Sequence, residues 1–207
     1  MADWIRDLRD AGDDLRRARN PAELAKALVP SAWLSRKVLN WDAPRADGPV
    51  PAAEAAEALR VLGNALKVEA IGEDGKVDYR TLQGSETFAE LERTSQLLHH
   101  VDPGQLTDDG DSIAFWINIY NVLAIHGVLA TGVRESVMEI PSFFGVVASR
   151  VGDYVVSLDE SENGILRRNA PHPASKSRLF DDDDPRLGLC PSHVDARIHA
   201  ALVCAST

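Results

Sequence analysis

The sequence predicts an α+β fold, predominantly helical, with a central buried helix and a small antiparallel sheet or hairpin. Three observations carry that expectation. The stretch "SIAFWINIYNVLAIHGVL", Ser112 to Leu129, holds no charged side chain. "GVVASRVGDYVVSLDE" sets apolar, β-branched runs on either side of Gly152-Asp153, a dipeptide suited to a two-residue turn. Elsewhere apolar residues recur at intervals of three and four between breaks rich in proline and glycine, which is helical spacing.

Taken from the N-terminus, residues 2–19 read as an amphipathic helix with Trp4, Ile5, Leu8 and Leu15 toward one side. "NPAELAKAL" reads as a second helix, capped by Asn20 with Pro21 in its first turn. "SAWLSRKVL" begins with a serine cap and reads as a third. "NWDAPRADGPVP", residues 40–51, is the clearest linker. The expected division is therefore a helical extension and linker over 1–50 and an α+β domain over 51–207. In that domain a long helix runs from about Ala52 to Lys67, with Ala55, Leu59, Leu62 and Leu66 on one face. "GEDGKVDY" is a turn leading to a short extended piece at Val77–Tyr79. "SETFAELERTSQLLHHV" is a further helix, with Thr87 and Glu90 as its capping box. Asp111 or Ser112 caps the charge-free helix, and Gly132 closes it in the left-handed conformation. After the hairpin, Ser157 and Glu160 form a capping box that opens a helix to about Arg168. Residues 169–191, with four consecutive aspartates, read as an exposed, mobile loop.

Composition narrows the function classes. The chain has 207 residues, 44% hydrophobic and 26% charged, as expected of a globular protein. Its net charge of −10 argues against a nucleic-acid partner, because neutralising phosphates takes a basic face. The mixed charges of "RDLRDAGDDLRRARN" describe a solvated helix face, through which a protein partner could dock. The polar N-terminus shows no signal peptide, so the chain reads as cytoplasmic and its two cysteines, Cys190 and Cys204, as free thiols or ligands rather than a disulfide. The charge-free helix is long enough to span a bilayer, but Asn118, Asn121 and His126 and its acidic flanks argue against a membrane span.

At 100° per residue, Ala114, Asn118, Asn121 and Ile125 fall within one arc of about 60°. On a helix that is apolar all round, Asn118 and Asn121 are expected to be buried amides with hydrogen-bond partners, either tying loops to the core or touching a substrate. His126 is a core histidine or a base. "DARIHAALVC" brings Asp195, Arg197, His199 and Cys204 within ten residues. A thiol needs a base or positive field to be nucleophilic at neutral pH. His199 and Cys204 are five apart, on opposite faces of a strand and about 140° apart on a helix, so His126 is an equally good base. Cys190, His193, His199 and Cys204 also spell C-x2-H-x5-H-x4-C, but the middle gap is short for a zinc finger. No metal or other cofactor is expected.

"AFWINIYNVLAIHGVL", "VSLDESENGILRR" and "DARIHAALVC", in this order, resemble domain-of-unknown-function family 547. Its members carry an A-F-W-I-N-x-Y-N helix, an L-x-x-I-E-x-x-I-L-R helix and a D-P-R-I-H-F-A-L-x-C segment. With "VDYRTL", the resemblance covers about residues 76–207. The matching positions are Trp116, Asn118, Tyr120, Asn121 and His126, then Glu162 and Arg167, then Asp195, Arg197, His199 and Cys204. Ser161 stands for the isoleucine, Asn163 where a histidine is common, and Ala196 for the proline. The family pattern continues past this cysteine into a second, in S-C-P, whereas Thr207 is the last residue here. A truncated, catalytically idle chain with a loosely anchored end is the expectation. The resemblance implies no reaction.

Two readings follow. In the first the chain is a non-catalytic protein-interaction or structural module. In the second it is a cysteine-dependent acyl-transfer or amide-hydrolase-like enzyme. There Cys204 is the nucleophile, His126 or His199 the base, and Asn118 or Asn121 an orienting amide or oxyanion donor. Glu162 then pairs with Arg167 behind them.

Overall fold

The computed structural model describes residues 36–41, 48–72, 78–134, 136–171 and 177–202. The helices expected over residues 2–19 and from Asn20 lie outside the described residues, as does Cys204. The fold is helical with one small mixed sheet of three strands. Its elements are β1 (Lys37–Val38), α1 (Ala52–Ala70), α2 (Glu86–Ser95), α3 (Asp109–Thr131), α4 (Phe143–Val146), β2 (Val147–Val151), β3 (Tyr154–Ser157), a π-helix (Glu160–Leu166) and α5 (Ile198–Ala201).

α3 is the axis of the molecule. Fourteen of its 23 residues are buried, and they face two separate cores. Phe115, Trp116, Ile119, Val122 and Ile125 pack with Leu59 and Leu66 of α1 and Leu91 of α2. Tyr120, Leu123, Ala124 and Val128 pack with Val137, Ile140, Phe143, Val147 and Leu158. Length and composition would let α3 cross a bilayer, yet two thirds of its most apolar window is buried against the rest of the chain. The helix begins three residues earlier than its pattern suggests. Asp108 is the cap, accepting from Asp111 N, and Gly132 ends the helix at φ 60° as expected.

β2 and β3 form the expected hairpin, with Val151 opposite Tyr154 across the turn. Gly152 has φ +56°, and a Cβ there would lie 2.4 Å from the carbonyl oxygen of Val101. Both the turn and the close packing therefore require glycine.

Several expectations are corrected. Lys37 and Val38 are not the end of a helix; they pair in parallel with Val147 and Ala148 of β2. A short helical signal is weak in isolation, and tertiary pairing overrides it. Of the extended piece expected at Val77–Tyr79, Val77 lies outside the described residues and Tyr79 opens a 3₁₀ turn, Tyr79–Leu82. On α2, Ser85 rather than Thr87 is the cap and accepts from Phe88 N, while the Thr87 hydroxyl donates to Glu69. Residues 169–191 are not exposed throughout. Buried Asn169 accepts from Leu179 N and Phe180 N and donates to Phe180 O, and the Phe180 ring lies in the core.

Asn40 joins three elements. Its side-chain amide donates to Ser95 O and Arg150 O, each at 2.9 Å, and its side-chain oxygen accepts from Arg150 N at 2.8 Å. Asn40 is 2% exposed, so water cannot replace these bonds. Asn40→Ala is expected to destabilise the fold by about 1–3 kcal/mol. Urea unfolding measures this, and a loss under about 0.5 kcal/mol, the usual range for a surface change, would mean that the three bonds are readily replaced.

Candidate functional site

The second matched segment winds as a π-helix, and that winding builds its ion pair. Arg167 N donates to Glu162 O at 2.8 Å, a five-residue step. On an α-helix, residues five apart diverge by about 140°. The wider turn stacks them, and Arg167 donates through Nε and Nη2 to Glu162 Oε1 at 3.1 and 2.8 Å. The pair is about one-fifth exposed.

Gly164 makes room for the Phe180 ring against this turn. A Cβ there would meet the Phe180 ring at 2.4 Å. Arg168 and Asn169 then reverse the chain at positive φ. Asparagine tolerates that region better than most residues, and the buried amide bonds of Asn169 hold it there.

Arg167 reaches a third residue. Its Nη2 lies 3.3 Å from Nδ1 of His199 on α5. A guanidinium only donates, so in this contact Nδ1 can act only as the acceptor. On the same short helix, the Ala201 carbonyl accepts from Asn121 Nδ2 at 3.0 Å. Asn121, Glu162, Arg167 and His199, from three separate segments, therefore meet around α5. Ile198 anchors α5 in the core, and Leu202 packs against both cores.

The other nominated residues separate from this cluster. Asn118 and Asn121 are half-buried rather than buried, because their arc, with Asp111 and Ala114 exposed, is the side of α3 left open. Asn118 has no hydrogen-bond partner among the described residues. His126 points elsewhere, meeting the Phe88 ring edge-on at 5.8 Å, and burial pushes its pKa down to about 4. Asp195 pairs with Arg197, which holds its carboxyl down to about 2.

The cysteine and histidine spacing considered for zinc does not converge among the described residues. The Cys190 thiol donates to Gly164 O, and His193 bonds with Asp109 and Ser192 at the start of α3. A cleft of about 320 Å³ lies at the hairpin turn, lined by Pro49, His99, Asp102, Gly152 and Tyr154 among others, and holds none of the nominated residues.

A second polar node escaped the sequence reading. Glu160, 5% exposed, accepts Ser157 N on Oε2, which completes the expected capping box. Its Oε1 takes the guanidiniums of both Arg36 and Arg186. Arg186 also pairs with Asp184, which its guanidinium holds below the usual carboxylate range, and lies 4.2 Å over the Phe180 ring. The capping-box spacing showed where Glu160 sits, but nothing local pointed to partners 124 and 26 residues away.

The depressed His126 value has a definite sign. Between pH 6.5 and about 4 the unfolded chain binds a proton that the folded chain refuses, so stability falls as pH falls through that window. The loss is on the order of 3 kcal/mol by pH 4. His126→Leu is expected to remove that part of the slope in urea unfolding measured from pH 7 to 4; an unchanged slope would show that His126 is protonated within the fold.

A family model described as "Protein of unknown function, DUF547" matches residues 104–207, half of the chain. The match starts later than the resemblance at about residue 76 and spans α3, the hairpin, the π-helix and α5. No curated protein and no solved structure matches the chain. The residues that meet around α5 all lie within the matched half, and the chain belongs to the DUF547 family, proteins of unknown function.

Proposed function

We propose that this chain acts as a non-catalytic interaction module, and that the cluster around α5 shapes a binding face. The observation that carries this reading is the contact between Arg167 and His199. A neutral histidine whose Nδ1 accepts from arginine carries its proton on Nε2 and is a donor there, whereas a base needs a free ring nitrogen facing its proton. His126, the other nominated base, is buried against Phe88 on another side of α3. The open arc of α3 offers a partner the amide of Asn118, which can donate to and accept from a peptide group. The partner class that fits is polypeptide, since a bidentate amide matches main-chain groups.

The cysteine-hydrolase alternative makes the opposite demand on Cys204, whose thiol would have to be activated. The discriminating measurement is alkylation of Cys204 against pH, with the Cys190 and Cys204 peptides separated by mass spectrometry. The interaction reading expects the rate to half-rise near the ordinary thiol value of about 8.5, unchanged in His199→Ala. A half-rise below about 7 that moves upward in His199→Ala would overturn it and favour the enzyme. Cys190 serves as the internal reference, because burial pushes its thiol up.

A further inference from the structure

The segment Arg36–Asn40 lies on the domain as a bound peptide would. Lys37 and Val38 pair in parallel with Val147 and Ala148, and Leu39 N donates to Ala148 O at 2.9 Å. One step further the main chain leaves the ladder and a side chain replaces it. The Asn40 carboxamide takes both the N–H and the C=O of Arg150, as the next strand residue would. At the other end, the Arg36 guanidinium donates to Glu160 Oε1 and to Val155 O. Leu39 packs between these ends, against the core that contains Tyr120 and Val147.

Two features make this a docking groove rather than an ordinary strand. The socket for arginine is built without Arg36: Glu160 is held by Ser157 N and by Arg186, which also reaches Val155 O. Residues 41–51 separate the segment from α1, so its release need not unwind that helix. Without β1, β2 would become an edge, and its largely buried main-chain groups on that side would lie unpaired at a cost. Strand addition of this kind draws affinity from main-chain bonds and specificity from side-chain sockets.

We propose that the β2 edge between Glu160 and Arg150 is a peptide-docking groove. The chain fills it in cis with Arg36–Asn40, and in trans it takes an extended polypeptide segment with arginine followed four residues later by asparagine. This surface is separate from the arc around Asn118 and His199, so the proposal does not depend on the function proposed above.

The test inserts a site-specific protease sequence between Asp47 and Gly48 of the full chain. After cleavage the N-terminal piece should remain bound on a sizing column. An excess of labelled peptide spanning residues 34–42 should displace it, while the same peptide carrying Arg36→Ala or Asn40→Ala should bind at least tenfold more weakly. In the uncut chain, Arg36→Ala should loosen the segment held in cis and admit the unmodified peptide, which the unaltered chain binds less well. A cleaved chain that unfolds, or three peptides that bind alike, would overturn the proposal. So would an uncut Arg36→Ala chain that folds normally and takes up no peptide.

Discussion

The burial of α3 on two opposite sides is the constraint from which the other arrangements follow. A helix with no charge from Ser112 to Thr131 must cover most of that length, and one layer of neighbours cannot do that. α1 and α2 cover one side; the hairpin, α4 and the chain around Val137 cover the other. The arc at Asp111, Ala114 and Asn118 is what remains. Every candidate functional contact of α3 lies along or beside that arc, because it is where polar side chains can reach partners outside the cores.

The polar residues of the molecule fall into two groups with different work. Asn40, Asn169 and Glu160 are buried and fully engaged, and each joins segments distant in sequence. Removing one would strand polar groups away from water, which costs more than the bond itself contributes. Glu162, Arg167, His199 and Asn121 are half-buried or exposed, so they are worth less to stability and remain accessible to a partner. Accessibility together with definite orientation is what a recognition surface needs. The π-winding supplies the orientation, since it alone stacks Glu162 beneath Arg167.

The same winding explains how the candidate site differs from its expected form. The sequence reading placed a helix from Ser157 onward and named Glu162 and Arg167 as a pair, yet on an α-helix the two would not meet. Gly164 lets the Phe180 ring lie against the wider turn, and the reversal at Arg168 and Asn169 ends it. The enzyme alternative allowed His199 on α5, or His126, as the base for Cys204, which lies outside the described residues. On α5 the neighbour of the His199 ring among the described residues is Arg167, 3.3 Å from Nδ1.

Local pattern sufficed wherever one element decides its own form. The charge-free helix, its left-handed stop at Gly132, the turn at Gly152 and the box between Ser157 and Glu160 are set by side chains within a few residues of one another, and all were legible. Pattern failed where partners are far apart. Lys37 and Val38 become a strand only because β2 lies beside them, and Asn40 is a core residue only because Ser95 and Arg150 converge on it. Asn118 and Asn121 look buried by periodicity, but the end of their arc toward Asp111 and Ala114 is left uncovered. Periodicity reports how apolar a face is. Whether that face is covered, and by what, depends on packing between segments, which only the tertiary structure decides.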